Sequence, residues 1–300
     1  DPVNGSIQKL YAEDTNLIIF QEAKVSRALI DKDAIYSAEG NASITSAKNV
    51  IGQIIAYAGE YGISKDPFSF AVYGYRKYFT DRKRSCVLRL SKDGITEISS
   101  YGMHDHFRDE LSNPLTNEIK GGFDMHVKNY TLSIKQSNGN YKTTAFDEDV
   151  KGWTSFYGYS PVFLASVGSN FFTLKQGVVY QHYTFNNVNN KYGQFYGVYY
   201  DSTVKVILNS SPSVVKVFQT INYEGATGWQ LNSMSASSGD VALPIFPYAS
   251  SASLESLESA MFSNNFKKKE NKYFSNLINN SATTQGEVLF GPSMTGIKGF

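Results

Sequence analysis

Apolar and polar residues alternate with a period of two in short runs along this chain, and three of those runs fold back on themselves. Cys86-Val-Leu-Arg-Leu90 turns through Ser91-Lys-Asp-Gly94 into Ile95-Thr-Glu-Ile98. Tyr130-Thr-Leu-Ser-Ile134 turns through residues 135–140 into Tyr141-Lys-Thr-Thr-Ala-Phe146, and Phe171-Phe-Thr-Leu174 turns at Lys175-Gln-Gly177 into Val178-Val-Tyr180. The pattern predicts hairpins of partly buried strands. Their last core residues, Leu90, Ile134 and Leu174, lie 44 and 40 positions apart. A repeat of about 40 to 45 residues with several short strands per unit is the footprint of a propeller blade. The expected fold is all-β: a β-propeller-like array of antiparallel β-meander blades with loop insertions and a short helix.

Other segments fill in this frame. Leu17–Phe20 and Val25–Ile30 predict a first hairpin, with Asp33–Tyr36 as a third strand. Residues 38–66, rich in serine, asparagine and glycine, read as a long loop insertion between the first two blades. Phe68–Tyr75, Lys77–Thr80 and the Cys86 hairpin give one complete four-stranded blade. Met103–Leu111 predicts a short helix, closed by Asn113-Pro114 because proline disfavours helix at the preceding residue. Gly121-Gly-Phe-Asp124 opens a third unit that ends near Trp153–Phe156. Pro161–Val167 opens a fourth, which Tyr196–Tyr200 finishes.

Val204–Leu208, Val214–Asn222 and Trp229–Ser233 offer strands for a fifth unit. Residues 235–285 read as a serine- and asparagine-rich insertion, in which Leu254, Leu257 and Met261 fall on one helical stripe; Val288–Phe290 resumes a strand. The whole of 1–300 is thus expected to be a single propeller-like domain. Its closing Gly296–Phe300 resembles a strand without a partner, so the domain is expected to be incomplete and part of a longer chain.

Composition narrows the function classes. An aromatic content of 14%, with 21 Tyr and 20 Phe, favours pleated sheet over helix. A net charge of +1 gives no global attraction to nucleic acid or an anionic membrane. No apolar run is long enough for a membrane-spanning helix. The single cysteine, Cys86, sits in an apolar strand and reads as a small buried hydrophobe.

Several strings resemble a known family. Gly59-Glu-Tyr-Gly-Ile-Ser-Lys-Asp-Pro67, Phe70–Asp81, Leu88–Ile98, Gly121-Gly-Phe-Asp124, Gly152-Trp-Thr-Ser-Phe156, Ile221-Asn-Tyr-Glu-Gly225 and Gly296-Ile-Lys-Gly-Phe300 are similar to a large virion protein of crAss-like tailed phages of gut bacteria. That family is described as a stabilisation protein and is associated with the tail muzzle or nozzle. The resemblance implies a structural, non-enzymatic subunit in the virion tail, repeated around the tail axis and contacting copies of itself and other tail proteins. It implies no cofactor, metal or catalytic residue.

Candidate chemistry is sparse. His104-Asp-His106, with Asp109 and Glu110, is the densest group of potential metal ligands, yet a helix would splay the two histidines. His126 and His182 read as polar strand or loop residues. Ser91–Thr96 has the outline of the Asp-box turn of sialidase-like propellers without its full spacing, and reads as a hairpin turn. A propeller glycosidase needs two or three carboxylates converging on its channel, roughly 5 to 9 Å apart. Glu22, Asp81, Asp124, Asp147, Glu148 and Asp149 are the acids near strand ends, most of them beside turns or basic residues. The basic runs Arg82-Lys83-Arg84 and Lys267-Lys268-Lys269 allow weak non-specific DNA contact in a tail channel. Trp153 and Trp229 are expected to pack between blades. The alternative function is a carbohydrate-binding or glycoside-hydrolysing propeller module, and a third is a binding module of a bacterial cell surface.

Overall fold

The computed structural model describes residues 1–36, 42–112, 118–184 and 193–206, and then 211, 213–214, 216–217, 220–225, 229, 267–276 and 293–294. Two compact units result, residues 1–202 and 203–300.

The first unit is a series of antiparallel meanders in which strands consecutive in sequence are neighbours in space. The first sheet holds β1 (Ile7–Glu13), β2 (Asn16–Gln21), β3 (Val25–Tyr36) and β4 (Ala42–Ala56). The second holds β5 (Ala71–Tyr73), β6 (Arg76–Asp81), β7 (Cys86–Ser91) and β8 (Gly94–Glu97). After helix α1 (His104–Ser112) comes the third, with β9 (Ile119–Asp124), β10 (Asn129–Lys135), β11 (Tyr141–Asp147) and β12 (Gly152–Tyr157). The fourth holds β13 (Phe163–Val167), β14 (Asn170–Lys175) and β15 (Val178–Gln181), and a separate hairpin, β16 (Gln194–Phe195) and β17 (Val198–Tyr199), follows. Among the described residues no sheet closes on itself.

Period-two alternation directs each strand into two cores. Along β7, Cys86, Leu88 and Leu90 pack with Ile18, Phe20 and Val25 of the first sheet. Val87, which points the other way, packs with Tyr130, Leu132 and Phe146 of the third. The second sheet is therefore buried on both faces, and its central strands lose nearly all exposure. Aromatic rings fill the gaps between sheets: Phe20 meets Phe79 at 5.1 Å, and Tyr78 stacks on Tyr130 at 4.8 Å. Each such fully buried ring contributes about 1.5–3 kcal/mol from burial. A smaller core of Tyr159, Leu164 and Phe171 joins the third and fourth sheets.

The helix forms where its pattern predicts. Phe107 and Leu111, one turn apart, are buried in the core between the second and third sheets. Three expectations need correction. The span 38–66 is not a loop insertion throughout, because Ala42–Ala56 forms the fifteen-residue β4. Its pairing with β3 from Ser26↔Ala56 to Tyr36↔Ala42 overrides the loop-like composition. β1, pairing Leu10 with Ile19, was also not anticipated. Finally, Tyr196–Tyr200 does not supply a fourth strand to the β13–β15 sheet. Phe195 and Tyr196 pack over the third core instead, with Tyr196 Oη donating to Thr173 Oγ1 at 2.8 Å.

In the second unit, β18 (Lys216–Val217) pairs with β22 (Ser293–Met294). β19 (Thr220–Glu224), β21 (Lys272–Asn276) and β20 (Lys267–Lys269) form a sheet in that order. Lys267–Lys269, inside the expected 235–285 insertion, is thus a strand of a hairpin. Val204–Val206 adopts no strand, and Trp229 is exposed. The expected helix around Leu254–Met261 and the strand at Val288–Phe290 lie outside the described residues.

Candidate functional site

The first strands of all four sheets converge on one cavity of about 420 Å³. Lys9 of β1, Ala71 and Val72 of β5, Gly121–Phe123 of β9, and Phe163 and Leu164 of β13 line it, together with Phe68, Phe70 and Met125. The convergence is close enough to dictate sequence. A Cβ on Gly121 would lie 2.1 Å from the Ser69 carbonyl oxygen, and one on Gly122 would lie 2.6 Å from Leu164 Cβ. The glycine pair thus lets β9 fit between its neighbours on either side. Tyr130 Oη donates to the same Ser69 carbonyl at 2.8 Å and fixes that approach.

The cavity wall is apolar and aromatic, with Lys9 its one charged side chain and no aspartate or glutamate among the lining residues. Phe68 and Phe163 remain 61% and 51% exposed, so aromatic faces are open to solvent at its edge.

The carboxylates are engaged elsewhere, in holding sheets and turns. Glu13 pairs with Lys77, which is only 2% exposed, tying the first sheet to the second. Glu148 accepts from Tyr78 Oη at 2.7 Å and from Arg89 at 2.7 Å, tying the third sheet to the second. Asp124 accepts from Tyr183 Oη at 2.6 Å, tying the fourth sheet to the third. Burial, reinforced by the carboxylate each hydroxyl bonds, pushes the Tyr78 and Tyr183 phenols far above their ordinary range. Both remain protonated donors.

The remaining acids act locally. Asp81, fully buried, accepts from Gly62 N at 3.0 Å and Ser64 Oγ at 2.9 Å. Asp147 accepts from the backbone N–H of Asp149 at 2.7 Å, closing the β11–β12 turn. Glu22 accepts from Ser6 Oγ at 2.7 Å, and the Ser6 bonds lower its pKa. The structure brings none of the six sequence candidates into the cavity wall.

Each cation of the first basic run has a carboxylate partner. Arg82 grips Asp66 through bonds of 3.0 and 2.9 Å, Lys83 lies 3.5 Å from Glu22, and Arg84 lies 3.3 Å from Asp81. In the second run, Lys268 sits over the Tyr273 ring at 5.8 Å. His104 and His106 lie on α1 as expected, and the described residues include no cluster of three or more ligands suited to a metal. His126 stacks on Tyr183 at 4.3 Å. His182 shares a 2.8 Å hydrogen bond with Thr173 Oγ1, and burial pushes its pKa down to about 4. Cys86 is buried, which pushes its thiol pKa up. Trp153 packs on Phe107 at 4.4 Å and donates Nε1–H to the Ile98 carbonyl at 3.0 Å.

Sequence reasoning missed Glu13, Lys77, Tyr78 and Tyr183. The available signal was Lys77 itself, a charge two residues before Phe79 and so on the same face of its strand.

Residues 190–280 match the family model described as the Crassvirus muzzle protein C-terminal domain. That segment is similar to the C-terminal domain of crAss-like phage muzzle proteins. No curated protein matches it. Of the strings that carried the resemblance, Ile221–Gly225 falls inside the matched segment, and its first four residues lie in β19. The cavity and the ties between sheets lie before residue 190, in the part of the chain that the family model does not cover. The match supports a structural role in the phage virion, located in the tail and in association with other tail proteins. No helix among the described residues is long and apolar enough to cross a membrane.

Proposed function

We propose that residues 1–202 are blades of a β-propeller and that the muzzle chain is a non-catalytic building block, assembling with copies of itself into a ring in the tail. The observation that carries this reading is the convergence of β1, β5, β9 and β13, the first strand of every meander, on a single cavity. Blades arranged around an axis place equivalent strands innermost, whereas sheets in a flat sandwich have no reason to do so. The ties Glu13–Lys77, Glu148–Tyr78 and Asp124–Tyr183 make successive sheets one rigid body, as a part that transmits load requires. Function then lies in shape and repeated interfaces. Light scattering and negative-stain electron microscopy of the purified chain test it: ring-shaped particles of one mass are expected, and a monomer at every concentration would overturn the ring.

Glycan binding without hydrolysis is a second reading, favoured by the open faces of Phe68 and Phe163 beside the cavity. Hydrolysis would need paired acids there, and the acids serve turns and sheet ties instead. Binding to a glycan array that disappears in Phe163→Ala would support this reading. Contact with DNA through Arg82, Lys83 and Arg84 would require those cations to leave their carboxylates. Unchanged DNA retention at every salt concentration after all three are replaced by serine would remove it.

A further inference from the structure

Lys9 stands apart from the other charged residues at the sheet junctions. It is half-buried on β1, and among the described residues its ammonium meets the Phe70 ring, 5.3 Å from the centroid, and no carboxylate. The acids nearby on the first sheet are committed elsewhere, Glu13 to Lys77 and Glu22 to Ser6 and Lys83. At the cavity edge a second cation, Lys120, lies 4.4 Å from the centroid of Phe68. The acid two residues before it, Glu118, accepts from Tyr141 Oη at 2.8 Å and pairs with Lys135 at 3.6 Å. A cation held at an apolar wall without a counter-charge attracts an anion more strongly than one surrounded by water.

The rest of the wall limits what accompanies that anion. Phe68, Phe70, Met125 and Phe163 present apolar surface. Ser166, the one hydroxyl among the lining residues, donates to the Phe123 carbonyl at 2.7 Å and accepts from the Met125 N–H at 3.1 Å. Lys9 is thus the one lining side chain with donors to spare. A sugar carries a hydroxyl on nearly every carbon, and most of these would lose water here without gaining a partner. A cavity of about 420 Å³ with an apolar wall and a single placed charge suits a small molecule that is apolar over most of its length.

We propose that this cavity binds an amphipathic organic anion, an apolar chain or ring system ending in one carboxylate or sulfonate. The apolar body lies against Phe68, Phe70 and Phe163, and the anionic end accepts from Lys9 Nζ. Burial of the body supplies most of the affinity, and Lys9 supplies the choice of an anion over a neutral molecule of the same shape. The site does not depend on ring assembly, and it assigns the open phenylalanine faces to a ligand of a different class from a glycan.

Fluorescence titration of the 300-residue chain with 8-anilinonaphthalene-1-sulfonate, followed by displacement with dodecanoate, dodecanol and maltohexaose, tests the assignment. Saturable binding of the probe is expected, with dodecanoate displacing it at least about 10-fold more strongly than dodecanol, the discrimination that one hydrogen bond between charged groups supplies. Maltohexaose should not displace it. Lys9→Met keeps the apolar stem and should abolish the preference for dodecanoate while leaving displacement by dodecanol unchanged. Phe163→Ala should weaken dodecanoate and dodecanol alike. Thermal unfolding confirms that each variant folds, and Lys9→Gln or Phe68→Ala replaces one that does not. A probe that dodecanoate fails to displace, equal displacement by the acid and the alcohol, or a preference that survives Lys9→Met would each overturn the proposal. Displacement by maltohexaose that survives Lys9→Met would overturn it in favour of the glycan reading.

Discussion

Tyr78 and Glu148, seventy positions apart in sequence, meet across 2.7 Å between the second and third sheets. The phenol comes from a fully buried ring and the carboxylate from the β11–β12 turn, and Arg89 bonds the same carboxylate at 2.7 Å. A buried hydrogen bond to a charged acceptor contributes about 1.5–3 kcal/mol. Tyr78→Phe should therefore lower unfolding stability by about that much. Glu148→Ala should cost more, because it also leaves Arg89 without its partner. Urea unfolding of the two single variants and the double variant checks the coupling. Strictly additive effects would mean that the pair does not act as a tie.

The glycine pair of β9 gives a sharper test of convergence. Gly121→Ala places a methyl 2.1 Å from a backbone oxygen, which cannot rotate away as a flexible side chain would. A loss of about 3 kcal/mol or more is expected from such overpacking. Gly152, in β12, meets nothing closer than 3.8 Å, and its replacement by alanine should change stability by less than about 1 kcal/mol. Equal effects at the two positions in chemical denaturation would show that β9 is not wedged between its neighbours.

What the sequence made legible follows from the range over which each signal acts. The alternation of Val87 and Leu88 is local, and it marked the strands of the second and third sheets and their turns correctly. The helix was equally local, since Phe107 and Leu111 declare their face within one turn. β4 escaped because Ser43, Ser46, Asn49 and Gly52 have loop-like chemistry. Only pairing with β3, up to thirty residues away, makes them strand. The ties escaped for the same reason: Tyr78–Glu148, Asp124–Tyr183 and Glu13–Lys77 each join residues more than fifty positions apart and leave no local pattern. Charged turn residues that look like solvated surface or catalytic candidates are, in the fold, hydrogen-bond acceptors between sheets.

His182 should make the junction of the third and fourth sheets sensitive to acid. It sits against Tyr159 and Phe171, and burial holds its pKa near 4 in the folded state against an ordinary 6.5. Above pH 6.5 the ring is neutral in both states and contributes no pH dependence. Between 6.5 and 4 the unfolded chain takes up a proton that the folded chain refuses, so stability falls by up to about 1.4 kcal/mol per pH unit. Below pH 4 both states are protonated and the loss levels off. His182→Gln removes this titration. The difference in stability between parent and variant, measured by urea unfolding from pH 7.5 to 4, should shift in the variant's favour as pH falls, and a constant difference would contradict it.

Cys86 offers a direct reading of how tightly the first two sheets are closed on each other. Its side chain is 3% exposed between Phe20, Phe79 and Leu88, and burial raises the thiol pKa, with Asp81 adding to the shift. The reactive thiolate is thereby suppressed twice, by protonation and by lack of access. A disulfide reagent such as 5,5′-dithiobis-(2-nitrobenzoate) should leave the native protein unmodified over hours at pH 8 and react at once in denaturant. Weakening the interface with Phe79→Ala, expected to cost about 3–5 kcal/mol, should bring the labelling rate up in proportion to the population of opened molecules. Rapid labelling of the unaltered protein would mean that the two sheets separate readily, and that the first core does not hold them as one body.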